Sequence, residues 1–254
     1  MYRVPVAAGV AGFLALVLAG CHSGSAASPA ASATVVPVST ATPSSGFSVP
    51  GTHRLTTVYR VSGAVSSVVV TSHVGDVTVI GGSAGSAVSV TQEAEYSSRP
   101  PVTGRTVSGG TLTVTYTCSV QAVCGVAYIV RVPRDVTVQA TADAGTIRLT
   151  GLGGPVTANV KVGSISATGL TGSIVSLTTD VGSISAAFAG TPATIQAVTR
   201  VGAITLRVPG SVSYKVSVTD HLGKATVSVP QSASSPHAIT VTVDAGVVLI
   251  GPLA

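Results

Sequence analysis

The sequence predicts an all-β protein: a right-handed single-stranded β-solenoid (parallel β-helix-like) with an N-terminal β-hairpin insertion. Three observations carry this prediction. Val, Thr, Ser, Gly and Ala dominate the 254 residues, a composition suited to strands and turns and poor for helices. One phrase recurs, as DAGTIRLTGL at 143–152, KVGSISATGL at 161–170 and DVGSISAAFA at 180–189. A glycine recurs with it, at Gly75, Gly145, Gly163, Gly182, Gly202, Gly223 and Gly246, in steps of 18, 19, 20, 21 and 23 residues from Gly145 onward. A period near 20 residues reads as one coil of strand, glycine corner, strand and return turn.

Around each glycine an apolar residue sits one place before and another two places after. The pairs are Val74/Val77, Ala144/Ile147, Val162/Ile165, Val181/Ile184, Val201/Ile204, Leu222/Ala225 and Ala245/Val248. Apolar residues in the flanking strands alternate at period two, so a three-residue step breaks the parity. The chain is therefore expected to bend or bulge at a glycine that can take positive φ, keeping both apolar residues of each pair inward. One coil cannot bury its apolar face, but stacked coils can, and strand crossovers wind right-handed. An antiparallel sandwich is the alternative. Its hairpins need not share a phrase, whereas solenoid coils naturally do.

Two places before each glycine stands an ionisable residue: His73, Asp143, Lys161, Asp180, Arg200, His221 and Asp244. With its neighbour inward, this residue is expected to face outward. Equivalent positions of stacked coils lie about 4.8 Å apart. Read in chain order from Asp143, the column runs minus, plus, minus, plus, His, minus. It is expected to be a charge ladder with Asp143–Lys161, Lys161–Asp180 and Asp180–Arg200 as neighbours. Its functional reading is a charged strip for a polyelectrolyte partner.

The elements follow in order from the N-terminus. After MYR comes the uncharged apolar run 4–20, which stops at Cys21. Leu18-Ala19-Gly20-Cys21 resembles a bacterial lipobox, in which a small residue precedes the cysteine that is lipidated. Residues 1–20 are thus expected to be a lipoprotein signal peptide, with Cys21 the lipidation site. An uncleaved membrane anchor is the other reading, at the short limit for a span. Residues 21–47 are rich in Ser, Ala, Pro and Thr and lack Lys, Arg, Asp and Glu, the composition of a tether. The strand-repeat domain is expected over 48–254. Its segment 92–134 departs from the repeat and carries Gly109-Gly110 between two alternating runs, a hairpin signal. Cys118 and Cys124 are the cysteines left once Cys21 carries lipid. In an exported chain they are expected to form a disulfide.

Motifs for chemistry are sparse. Net charge is +5, but the three lysines, Lys161, Lys215 and Lys224, are far apart and no basic patch interleaves with aromatics. Nucleic acid is therefore not an expected partner. Gly81 to Gly85, GGSAG, matches G-x-S-x-G, but the following segment reads as a strand rather than the helix of a nucleophile elbow. The five histidines show no metal spacing, and each coil offers one carboxylate where calcium needs six to eight oxygens. No catalytic residue, cofactor or metal is expected. Tyr59, Tyr116 and Tyr128 read as packing residues. Tyr96 with Arg99, in the loop EAEYSSRPP, reads as the exposed candidate binding loop.

Several of these features together resemble a bacterial family of unknown function known as putative adhesins, built from short β-strand repeats. The resemblance rests on the strand ends Val130 to Pro133 and Leu206 to Pro209, the Cys118/Cys124 pair before VAYIVRVP, and the repeats AGTIRLTGL and VGSISATGL, across roughly residues 50–250. It implies a solenoid-like surface domain, often lipid-anchored, and no enzyme activity. The expected function is adhesion or binding at the cell envelope by a protein held to the membrane through Cys21. Envelope polysaccharide or a foreign surface is the expected partner. An accessory or sensory role against a membrane-protein partner is the alternative, and a β-helix carbohydrate-active enzyme ranks below both.

Overall fold

The computed structural model describes residues 34–38 and 51–253. The apolar run 4–20 and Cys21 lie outside the described residues. The described chain is all-β, with fourteen strands in one open, mixed sheet and no helix. Six long strands carry the repeat: β9 (Thr137–Thr150), β10 (Val156–Leu170), β11 (Ile174–Phe188), β12 (Thr194–Val208), β13 (Lys215–Val227) and β14 (Ala238–Pro252). They pair in parallel and in register, so that Gly163 stands opposite both Gly145 and Gly182, and Ile165 opposite both Ile147 and Ile184. The shared phrase is thus a register device, since repeated residues meet their own kind across the ladder.

A straight 15-residue strand would span about 50 Å. Only residues 171–173 separate β10 from β11, yet Val156 pairs with Val175 near the start of both strands. Each long strand must therefore fold back within itself, and the burial pattern shows where. In β10, Val156, Ala158 and Val160 face the core, then Ile165, Ala167 and Leu170, while Lys161 to Ser164 lie outside. The inward residues flanking the corner are thus five apart, not the expected three. Val162, expected inward, is 57% exposed, and Val74, Val181, Val201 and Leu222 are exposed with it. The reason is steric. Backbones of successive corners stack so closely that a Cβ on Gly182 would run into the Gly163 carbonyl, and one on Gly163 into that of Gly145. Gly163 and Gly182 also hold φ of 140° and 142°. The corner is a flat, side-chain-free column, and the residue before it has no room to turn inward.

The segment outside the long strands is built differently. Two shorter strands, β3 (Ser67–Val74) and β4 (Val77–Gly82), form one rung split at Gly75, and both pair in parallel with β9. Beyond them, β7 (Thr111–Thr117) pairs with β3, and β8 (Cys124–Pro133) pairs with β4, again in parallel. The segment 92–134 therefore supplies a further rung. The expected hairpin is β7 with β6 (Val102–Ser108), antiparallel around Gly109-Gly110. Antiparallel β5 (Val88–Tyr96) joins β8, and β2 (His53–Ser62) joins β5. Last comes β1 (Thr34–Val38), a strand within the expected tether that pairs with β2. Among the described residues β1 is an edge strand, a position that tolerates a proline such as Pro37.

At the other end chain order and rung order part. β12 pairs with β14, not β13, and β13 is the outer strand. The connectors permit it: residues 209–214 lead into β13 and 228–237 lead out, against three or five residues between earlier rungs. The core is one continuous cluster of small and branched residues in columns, such as Val138, Val156, Val175, Ile195 and Ile239. Its buried tyrosines gather towards the ends, with Tyr59, Tyr116 and Tyr128 at one and Tyr214 at the other, while Phe188 fills the middle of the stack.

Candidate functional site

The outward column two places before the corner glycines is ordered by the rungs. With β13 outermost it reads His73, Asp143, Lys161, Asp180, Arg200, Asp244, His221, so the last two members exchange places relative to chain order. The exchange improves the alternation, because Asp244 now separates Arg200 from His221. His73 Nδ1 lies 2.8 Å from Asp143 Oδ2, and Lys161 Nζ lies 2.8 Å from Asp143 Oδ1. Arg200 and Asp180 meet at 2.9 Å, and His221 and Asp244 at 3.5 Å. Lys161 also feels the Asp180 charge, and Arg200 that of Asp244. The hydrogen bonds from Lys161 first and His73 second hold the Asp143 carboxyl below its usual range, and Asp143 in turn raises Lys161. A neighbouring pair that no periodicity marks, Asp76 just before β4 and Arg148 on β9, meets at 2.7 Å, and Asp76 also accepts the Thr146 N–H.

The concave features lie at the β7/β8 end. Here the rung has no corner glycine. Residues 118–123 turn the corner, closed by the Cys118–Cys124 disulfide. Two grooves flank it. One, of about 530 Å³, is lined by Arg54, Glu93 and Glu95 together with Val74, Gly75 and residues 122–127. The other, of about 420 Å³, lies between His73, Tyr116 and the disulfide. The Tyr116 hydroxyl accepts from the Val74 N–H at 2.7 Å and donates to the Val74 carbonyl at 2.9 Å, locking the ridge between the grooves. In the first groove Glu95 accepts from the Thr52 hydroxyl at 3.0 Å and stands 3.9 Å from Arg54.

The candidate loop at Tyr96 and Arg99 abuts this end, but its two residues behave differently. Tyr96 is half-buried against the core with its ring 5.4 Å from that of His53, so it is a packing residue rather than the exposed contact expected. Arg99 is exposed, and its backbone is clamped. Gln121 Oε1 accepts the Ser98 and Arg99 N–H groups at 2.8 and 3.1 Å, while Gln121 Nε2 donates to the Arg99 carbonyl at 2.9 Å. Gln121 lies in the disulfide loop, so the cystine organises the neighbouring loop as well. Nothing in the spacing of Gln121 marked it for this role. The buried Tyr128 phenol, raised chiefly by desolvation, completes the core beneath.

In chemical terms the ladder is a surface strip of nearly balanced charge, and the disulfide end is a groove of mixed sign on a rigid base. Among the described residues no group of three His, Cys, Asp or Glu could hold a metal ion.

No family model matches the chain, and no curated protein matches it. Among solved structures it is similar to a putative cell adhesion protein from Clostridium sporogenes, at 13% identity and a TM-score of 0.44, covering 80% of this chain and 100% of that one. It is also similar to a putative adhesin from Bacteroides fragilis, at 14% identity and a TM-score of 0.40, covering 83% of this chain and 99% of the other.

Proposed function

We propose that this chain is an exported lipoprotein whose strand-repeat domain, of the putative-adhesin kind, binds surface material at the cell envelope without enzymatic chemistry. Residues 1–20 direct export, Cys21 carries the lipid, and the low-complexity stretch that follows spaces the domain from the membrane. The rungs wind as a right-handed β-solenoid, which the short connectors and in-register parallel pairing support. The observation that carries a binding role is the disulfide end. A groove with Arg54, Glu93 and Glu95, beside the exposed and backbone-clamped Arg99, is pre-organised on a rigid stack. Pre-organised polar groups around a groove suit recognition of a polar polymer, since little ordering entropy remains to be lost on binding.

The test is retention of the purified, disulfide-intact protein on isolated cell wall, membrane fractions and foreign cells. Saturable retention on wall polysaccharide or foreign cells, weakened at least fivefold by Arg54→Ala or Arg99→Ala, supports the reading. Capture of a single membrane protein instead, unaffected by those changes, moves the function to an accessory role. The exposed apolar column of Val162, Val181 and Val201 would then be the natural contact. Retention on none of these materials overturns the adhesive reading.

A further inference from the structure

The outermost rung, β13, is unlike the others. Among the described residues β13 itself pairs along one edge only, with β14, while just before it Tyr214 bridges Gln231 of the outgoing connector on the other edge. Opposite Val218, Asp220, Ala225 and Val227 stand Val241, Val243, Val248 and Ile250 of β14, all four fully buried. On β13 the equivalent positions are half-buried or exposed. Among the described residues the apolar core therefore ends open at this coil, with an unpaired strand edge beyond Tyr214. Such an edge is a template for pairing with another chain.

One residue of the inward set is charged. Ala142, Val160, Thr179, Thr199 and Val243 form a column inside the stack, and Asp220 completes it. Both Asp220 oxygens are shielded from solvent and have no hydrogen-bond partner. A Cβ on Gly223 would come within 3.0 Å of Oδ1, so the carboxylate lies folded against the corner. No local gain accounts for this placement, since a shielded, unpaired carboxylate costs stability. In addition, two of the protein's three lysines, Lys215 and Lys224, sit on this same strand. Inward-pointing charges and edge lysines are the means by which natural sheets discourage edge-to-edge pairing.

A second copy of this chain is the occupant that the rung would fit if the carboxylate were absent. Two such coils meeting antiparallel, corner on corner, about a twofold axis between Leu222 and Gly223 keep inward positions inward. Val218 then faces Val227 of the second copy. The one mismatch is Asp220, set opposite Ala225, where two carboxylates would be sealed into a joined core with no counter-charge. We infer that Asp220 is an assembly guard, an inward charge that keeps the open terminal coil from joining end to end with a second copy. Val218 and Val227, on either side of Asp220, are otherwise self-complementary.

The experiment is sedimentation velocity on the full chain in one detergent, over roughly 1–100 μM, for the wild type and for Asp220→Val, Asp220→Asn and Asp220→Glu. The wild type and D220E are expected to stay monomeric throughout. D220V and D220N are expected to form a dimer with a midpoint at least tenfold below the top concentration. Adding Leu222→Asp, which places charge at the twofold axis, is expected to return D220V to monomer. Folded D220V and D220N that remain monomeric would overturn the inference and leave Asp220 as a mere burial cost. A wild type already dimeric would overturn it too, as would aggregation of D220V without defined stoichiometry that L222D does not reverse.

Discussion

At a corner the glycine answers to two demands at once, a backbone conformation and a neighbour. Gly182 holds φ of 142° and would drive a Cβ into the Gly163 carbonyl, whereas Gly85, at φ of 72°, has nothing within 4 Å of its missing Cβ. Gly182→Ala is therefore expected to cost about 3 kcal/mol or more, and Gly85→Ala about 1 kcal/mol, read as the difference in urea unfolding free energy. The charged residues beside the corners answer to weaker forces. Exposed pairs contribute little individually, so the ladder is better read through its titration. Asp143 is held low, first by Lys161 and then by His73. Its share of stability is present above the ordinary carboxylate pKa of about 4 and disappears as pH falls through the lower folded value. Lys161 is raised, so its share persists below its ordinary pKa and is lost only as pH climbs through the raised one. Lys161→Met is expected to move the Asp143 titration, followed by side-chain NMR, upward towards the ordinary value. His73→Ala should move it in the same direction by less.

Among the elements, the rungs divide into those made by glycine and one made by a disulfide. The β7/β8 rung closes its corner with Cys118–Cys124, and Gln121 inside that loop holds residues 98 and 99 by their backbone. Cys118→Ser with Cys124→Ser is expected to lower stability by about 2 kcal/mol from loop entropy. It is also expected to speed proteolysis around Arg99 before global unfolding, with the parallel rungs unaffected. The same division explains what was legible beforehand. The corner glycines, the outward charges and the cysteine pair declare themselves by period or by count. The inward set flanking the corner did not, because a spacing of three apolar residues suggests a shorter corner than stacked backbones allow, and Val162 emerged outside. The exchange of β13 and β14 was legible only as a lengthening of the period to 21 and 23 residues, whose meaning depends on which slot the longer connectors reach. The β7/β8 rung was hidden because its corner has no glycine, and the groove because Arg54, Glu93 and Glu95 converge through antiparallel pairing of distant strands. Tyr96 looked exposed from its polar neighbours, yet it ends a strand and packs inward.

At the scale of the described chain, each long strand pairs only with its neighbours in the sheet, so its contacts are nearly one-dimensional. The two ends of the sheet are not equivalent. One is extended by antiparallel strands and carries the grooves, and the other, among the described residues, ends at β13. Between them the alternation of sign has a consequence for inheritance. Because rungs repeat in register, a recombination between repeated phrases can delete or duplicate whole coils while leaving every glycine opposite a glycine. Loss of the single coil bearing Lys161 would bring Asp143 against Asp180. Loss of that coil together with the next would bring Asp143 against Arg200, opposite in sign. A change by a pair of coils, about 39 residues here from Gly163 to Gly202, therefore keeps the alternation of sign, whereas a single-coil change sets like charges side by side at a modest cost.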